Sequence, residues 1–175
     1  MFNETSLQEF RRSLRGSLFE PQDKGYDDTR KVYNGMIDKH PRIIVKCADV
    51  ADVILSVNFA RENNMLLAIR GGGHSASGLG ICDDGLVIDL SLIRYTRIDL
   101  QTGTVVAGAG CTLGDIDHAT HIFGLATPTG FMSTTGIAGL TTGGGLGHLT
   151  RKLGLTIDNL LSVDMVLADG NFVTA

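Results

Sequence analysis

The chain has 175 residues, 43% of them hydrophobic, and a formal net charge of −4, which is enough for one domain with a substantial core. Its basic residues are scattered, so nucleic-acid binding is not indicated, and no apolar run reaches the roughly 18 residues of a membrane span. The three cysteines, Cys47, Cys82 and Cys111, match no metal-binding spacing, as expected of reduced thiols in a cytoplasmic protein.

The first half of the chain is predicted to form a short helix and then a β-α-β unit. Ser6 to Leu14 are expected to be helical, and Gly16 to Asp28 to form a loop. The β-branched run Ile43–Val45 predicts a strand, and Asp49 is a suitable N-cap for a helix that the following apolar spacing supports. Leu66 to Ile69 predicts a second strand, which this order of elements makes parallel to the first.

The second half is predicted to alternate strands, turns and one longer helix. Leu86 to Ile88 forms a strand, a hairpin surrounds Gln101-Thr102-Gly103, and Leu113 to Phe123 has helical apolar spacing. Thr127 to Gly147 shows neither helical nor strand periodicity and consists mostly of Gly, Thr and Ser. A final hairpin is expected from Leu160 to Thr174, and because the chain stops as it returns, we expect a piece of a longer protein.

Two glycine-rich loops are the main functional signal. The first glycine loop (residues 70–80) begins Arg70-Gly71-Gly72-Gly73-His74-Ser75, where bare backbone N–H groups suit a pyrophosphate and the histidine adds a neutral nucleophile. The second glycine loop (residues 134–147) combines glycines with threonine hydroxyls. A tight ligand-free turn is the alternative for the first loop alone, but the pair favours a long ligand, such as a nucleotide cofactor, held from two sides.

Other ligand-binding motifs fit less well. A Rossmann fingerprint requires a helix after the glycine turn, whereas the residues after Gly80 form a turn, and no glycine is followed by the lysine of a P-loop. His118 and His121 have a spacing that can hold a metal, although the polar face of an amphipathic helix explains them better. His148 is expected to be a solvated loop residue, with contact to a ligand as the alternative.

An ordered series of motifs extends along the chain. It comprises Arg70-Gly-Gly-Gly-His74-Ser75, Leu86-Val-Ile-Asp-Leu90, Thr127-Pro-Thr-Gly130, Gly139 to Gly147, Arg151-Lys-Leu-Gly-Leu155 and Asp158-Asn-Leu160. The series resembles the berberine bridge enzyme-like (BBE-like) flavoproteins, which have the vanillyl-alcohol oxidase/para-cresol methylhydroxylase (PCMH) type of FAD-binding fold. The resemblance covers the chain from about Tyr26 to Ala175.

The resemblance implies an α+β, PCMH-type FAD-binding domain: a β-α-β subdomain followed by a glycine-rich segment that covers the flavin, truncated before the substrate domain. Residues 1–30 are expected to be an N-terminal extension, and 31–175 the FAD-binding domain, incomplete at its C-terminal end. The activity implied is that of an FAD-dependent oxidoreductase, an oxidase that takes hydride from an alcohol or amine carbon of a small-molecule substrate, with dioxygen as the final electron acceptor.

The resemblance also assigns residues to the cofactor. In that family a histidine of the Gly-Gly-His motif is bonded to the 8-methyl carbon of the flavin, so His74 is the expected attachment point. Met132 stands where many members have a second attaching cysteine, so only one bond is expected, and Thr135 has the position that controls oxygen access. The expected FAD-binding residues are Arg70, Gly71, Gly72, Gly73, His74, Ser75, Gly78, Thr134, Thr135, Gly139, Gly143, Gly144, Gly145 and Gly147.

The chain itself offers no identifiable catalytic base, because relatives in that family take the base from later parts of their chains. No metal ligand is expected. A non-catalytic, truncated flavin-binding or scaffold module that needs a partner for the missing half is therefore the alternative function. An oligomer is a further option, and no nucleic-acid or membrane partner is expected.

Overall fold

The computed structural model describes residues 4–175, and positions 1–3 of the predicted N-terminal extension lie outside the described residues. The elements follow in this order: α1 (Glu4–Ser13), β1 (Ser17–Phe19), α2 (Tyr26–Arg30), β2 (Ile43–Lys46), α3 (Val50–Glu62), β3 (Leu67–Arg70), β4 (Leu86–Asp89), β5 (Thr96–Asp99), β6 (Thr104–Ala107), α4 (Leu113–His121), α5 (Ile137–Thr142), α6 (Thr150–Leu153), a 3₁₀ turn (Ile157–Asn159), β7 (Asp164–Val166) and β8 (Phe172–Thr174). Among these described elements, no helix is long and apolar enough to cross a lipid bilayer.

A four-stranded sheet with the order β1-β2-β4-β3 organises the first half. Strand β4 lies between β2 and β3 and pairs in parallel with both, while β1 pairs antiparallel with the outer side of β2. The predicted parallel relation of β2 and β3 is therefore confirmed, although β4 separates them. All residues of β4 are buried, which explains why its first three residues, Leu86 to Ile88, are all apolar instead of alternating; the fourth, Asp89, is paired with Arg70.

The start of α3 is fixed by two aspartates. The side chain of Asp49 accepts hydrogen bonds from the backbone N–H groups of the first turn, so the predicted N-cap is confirmed. Asp52 is buried, and its carboxylate accepts backbone N–H bonds from Arg15, Gly16 and Ala48 at 2.8–2.9 Å. Asp52 thereby joins helix α3 to the chain just before β1.

Alternate residues of the strands supply two apolar clusters, one on each face of the sheet. The larger cluster contains Ile43, Val45, Leu86 and Ile88 together with Leu7, Phe10, Leu18, Val57 and Phe59. The smaller cluster contains Ile44, Val87, Ala68, Tyr26, Ile81 and Cys82. Because α1 and β1 contribute to the larger cluster, the boundary drawn at residue 30 has no counterpart in the packing, and the division into domains stays a prediction.

Two predicted loops contain regular structure. The loop prediction for Gly16 to Asp28 is wrong where β1 and the start of α2 form, because β1 is stabilised by pairing with β2 and not by its own short sequence. The segment from Thr127 to Gly147 contains the six-residue helix α5, which its Gly and Thr content conceals.

The remaining predictions of local structure are confirmed with bounds that differ by a few residues: α1 begins two residues earlier than predicted, and β2 and β4 each extend one residue further. The β5–β6 and β7–β8 hairpins form, and Leu160 lies before the first strand of the second hairpin. Helix α4 buries Leu113, Ile116 and Thr120 but ends at His121. Phe123 was expected on the same face, but it lies beyond the helix and is exposed.

Candidate functional site

A cleft of about 430 Å³ opens at the carboxyl ends of the parallel strands. Lys46, Arg70 and Asp89, the last residues of β2, β3 and β4, line it, and the first glycine loop continues its wall. The carboxyl edge of parallel strands is the usual place for a ligand in α/β sheets. The sheet therefore places the first glycine loop at a binding edge.

Arg70 holds the floor of this cleft together. Its Nη2 donates to Asp89 Oδ2 at 2.8 Å, and the two side chains are only 7% and 4% exposed. The guanidinium also donates to the backbone carbonyls of Thr29 at 2.7 Å and Lys31 at 3.3 Å. Arg70 is thus bonded to acceptors of the protein and fixes the segment after α2 above the loop, while its predicted contact with FAD stays a prediction.

The backbone of the first glycine loop presents a run of unused donors. Within the described part of the chain, the backbone N–H groups of residues 72–77 donate to no protein acceptor. Gly73 and Gly78 have φ angles of +70° and +72°, so they bend the loop in a way that L side chains disfavour. Successive free N–H groups in a bent loop form the kind of concavity that binds a phosphate.

The two glycine loops touch each other backbone to backbone. A Cβ on Gly72 would lie 2.3 Å from the backbone N of Gly136, and a Cβ on Gly136 would lie 2.3 Å from the backbone N of Gly72. Gly71 is also closely packed against backbone, since a Cβ added to it would lie 3.2 Å from the carbonyl oxygen of Ala109. Contact between the loops therefore explains why residue 72 is a glycine. Gly136 is not among the predicted site residues, because only the fold reveals that Gly72 is its partner.

The glycines of the second loop divide into packed and open positions. A Cβ on Gly145 would lie 2.2 Å from a threonine hydroxyl, and one on Gly147 would lie 1.6 Å from a carbonyl oxygen. Gly144 and Gly145 have φ angles of +103° and +80°, and Gly143 follows the end of α5. Gly139 differs, because nothing lies within 4 Å of its added Cβ, so the fold alone does not explain this glycine.

His74 lies between an aromatic ring and two hydroxyls. Its ring stacks on Tyr33, with centroids 4.0 Å apart and planes at 17°. Its Nε2 is 3.1 Å from Thr134 Oγ1, and its Nδ1 is 3.4 Å from Thr135 Oγ1. The structure therefore brings the candidate nucleophile of the first loop together with two candidate residues of the second loop.

The three thiols do not compete with His74 as nucleophiles. Cys47, Cys82 and Cys111 are all buried and unpaired. Burial raises the pKa of each, that of Cys47 to about 12. These thiols are uncharged at neutral pH, and the reactive form of cysteine is the thiolate.

The cleft unites part of the predicted site and adds residues to it. Arg70, Gly71, Gly72, Gly73, His74 and Thr134 line it, whereas Ser75, Gly78, Thr135, Gly139, Gly143, Gly144, Gly145 and Gly147 do not. Lys46 and Ser91 also line the cleft but were not predicted, although both stand at or just beyond the end of a predicted strand.

The other histidines lie away from the cleft. His118 and His121 are exposed on α4, and His148 is exposed with its ring edge against Phe131. Over residues 4–175, no group of three or more His, Cys, Asp or Glu side chains is placed to hold a metal ion.

Comparisons with known proteins identify the family and the fold of the chain. The FAD binding domain family matches residues 41–175. An FAD-linked oxidoreductase of Dictyostelium discoideum is 40% identical over 91% of this chain and 35% of its own length, and (R)-6-hydroxynicotine oxidase of Paenarthrobacter nicotinovorans is 35% identical over 92% and 35%. The solved structure of BBE-like 1 from Physcomitrella patens superposes with a TM-score of 0.91 at 34% identity, over 97% of this chain and 37% of that one.

These matches establish the family and the extent of the similarity. The chain spans about a third of the length of the relatives that it matches. Its mixed α/β fold is that of PCMH-type FAD-binding domains. The chain belongs to the FAD-binding domain family of FAD-linked oxidoreductases, which includes the BBE-like proteins.

Proposed function

We propose that this chain carries FAD covalently through His74 and is the cofactor-binding part of an oxidase that takes hydride from an alcohol or amine carbon. The observation that carries the proposal is the juxtaposition of six consecutive free backbone N–H groups with the imidazole of His74. Successive backbone N–H donors suit binding of the pyrophosphate of FAD, and a neutral imidazole can act as a nucleophile toward carbon. The residues present therefore fit the cofactor.

The protein groups divide the work of holding the cofactor. The N–H groups of residues 72–77 would hold the pyrophosphate; residues 72–74 of this run line the cleft, where Lys46 adds positive charge. Gly139 leaves open space where a flat ring system can approach the backbone. Bound FAD supplies a two-electron acceptor, and Thr135, a small polar residue beside His74, leaves access for dioxygen open.

Attachment through His74 has a simple overall balance. One methyl C–H bond of the flavin and the imidazole N–H bond are replaced by a C–N bond. Two protons are released, and two electrons pass to dioxygen. No second bond to cysteine is proposed, because Met132 stands where many relatives have that cysteine and the three thiols are buried.

The test is to measure mass and absorbance of the chain after acid denaturation. We expect a yellow protein heavier by one FAD, with the adduct on the peptide that contains His74. The variant His74→Ala should lose acid-stable flavin and keep its fold by circular dichroism, whereas the control His121→Ala, exposed on α4, should keep it. Full acid-stable flavin in His74→Ala would refute the assignment.

A non-catalytic flavin-binding scaffold is the second candidate, since the roles that the described cleft residues support are binding and attachment of FAD. The relative named (R)-6-hydroxynicotine oxidase makes 6-hydroxynicotine the first substrate to assay. Steady turnover by this chain alone would favour the enzyme, and turnover only after a longer partner is added would favour the scaffold.

A cytoplasmic location is proposed from the three unpaired cysteines.

A further inference from the structure

The geometry assigns Tyr33 and Thr134 a shared positioning role: they hold the imidazole of His74 in one orientation and one tautomer, with the lone pair on Nδ1. This inference rests on the proposed attachment through His74. It adds a residue, Tyr33, that no glycine or histidine motif points to, and it gives Thr134 a task other than contact with FAD.

Tyr33 is placed by its contact with His74 and not by burial. Its side chain belongs to a residue that is 66% exposed, yet its ring stacks on the imidazole at 4.0 Å. The backbone N–H of Tyr33 donates to the carbonyl oxygen of Gly73 at 3.1 Å, so its backbone contacts Gly73 while its side chain contacts the next loop residue, His74. A ring stacked in this way restricts rotation of the imidazole and covers one of its faces.

The segment that carries Tyr33 is itself held from below. Arg70 donates to the carbonyls of Thr29 and Lys31, and it is fixed by its buried ion pair with Asp89. Tyr33 follows two residues later and is pinned by Gly73. This series of contacts connects the floor of the cleft to the ring that covers His74, so the orientation of the imidazole is set before any cofactor arrives.

The hydroxyl of Thr134 selects the tautomer. Its oxygen is 3.1 Å from Nε2, within the usual range for N–H···O bonds, whereas Thr135 is 3.4 Å from Nδ1, at the long limit. A neutral imidazole has one N–H and one lone pair. The shorter contact keeps the proton on Nε2, where it donates to Thr134, and leaves Nδ1 to form the bond to carbon.

This assignment also gives the proton a route. When Nδ1 forms the C–N bond, the imidazole proton lost in the overall balance is the one on Nε2. That nitrogen and the Thr134 hydroxyl are exposed, so the proton passes to water without crossing the core. The other proton comes from the methyl carbon, and dioxygen accepts the two electrons.

The inference is tested first without flavin. In the chain labelled with ¹⁵N-histidine, we expect the His74 signals of the Nε2–H tautomer. Thr134→Val should shift the tautomer ratio about fivefold, the worth of one neutral hydrogen bond, and Thr134→Ser should restore it. Tyr33→Leu should raise the rate at which diethyl pyrocarbonate acylates His74 about tenfold, because one face of the imidazole is then uncovered. Tyr33→Phe keeps a ring on that face and should leave the rate at His74 as in the original chain.

Attachment is then timed by adding FAD and measuring acid-stable flavin. Tyr33→Leu and Thr134→Val should each slow it by about tenfold or more, because misplacing a reacting group by a fraction of an ångström has effects of this size. Unchanged tautomer ratio and acylation rate in these variants would overturn the inference, even if His74 carries flavin. Altered ratio and acylation with no flavin attached to any form would support the inference and refute the proposed function.

Discussion

The contact between the two glycine loops yields the sharpest prediction, the effect of Gly72→Ala. The added Cβ would lie 2.3 Å from the backbone N and 2.6 Å from the Cα of Gly136, whereas ordinary contact begins at 3.4 Å. The loops must therefore separate by about 1 Å, and no side chain is present on either partner that could rotate away. Overpacking of this kind costs about 1–3 kcal/mol of unfolding free energy.

That cost corresponds to a fall in Tm of about 2–12 °C for a chain of this size. The same separation moves Thr134 away from His74, so flavin attachment should slow by about 100-fold. Thermal unfolding of the flavin-free chain and the time course of acid-stable flavin measure the two effects separately.

Gly139→Ala is the matched control for stability. It lies in α5 with nothing within 4 Å of an added Cβ, so the substitution should raise stability by about 0.5–1 kcal/mol. If Gly72→Ala keeps both the Tm and the attachment rate of the original chain, the loops do not position His74 and the reasoning fails.

Two further predictions concern stability. Asp52→Asn would place an amide NH₂ group against two backbone N–H donors that now share Oδ2, so the unfolding free energy measured in urea should fall by about 2–4 kcal/mol. Asp49→Asn keeps a capping oxygen and should change the unfolding free energy by only a few tenths of a kcal/mol. Equal losses in the two variants would contradict this account. The guanidinium of Arg94 holds the pKa of Asp115 below its usual 3.8, so the ionised carboxylate stabilises the fold above that usual value and this contribution is lost as pH falls through the lowered pKa. Between about pH 5 and pH 2, Asp115→Asn should therefore lose less unfolding free energy than the original chain. The difference should be less than about 1 kcal/mol because the pair is partly exposed; identical pH profiles of unfolding would refute it.

The local elements of this fold could largely be predicted because their signals are short-range. The Asp49 cap, the apolar run of β4 and the turn at Gly103 each specify structure within a few residues. Strand β1 could not be predicted, since its three residues become a strand only by pairing with β2. Helix α5 was hidden by Gly and Thr, whose low helix propensity is overridden by its surroundings.

The candidate site divides in the same way. His74 and the free amides of the first loop follow from the sequence, because a glycine run with a histidine is visible in the residues themselves. The role of Tyr33, 41 positions before His74, depends on the segment after α2 folding over the loop through Arg70. The partner of Gly72 is Gly136, which is even further away in sequence, so no spacing rule identifies it.

The central position of β4 has a consequence for the order of folding. Strands β2 and β3 have no hydrogen bonds to each other, and each pairs with β4. During synthesis, β1, β2, α3 and β3 emerge before β4, so the edges of β2 and β3 that pair with β4 have no partner until β4 is made. The sheet closes when Leu86–Asp89 inserts between them, and the same insertion brings Asp89 to Arg70, so the floor of the cofactor cleft is completed in the step that completes the core.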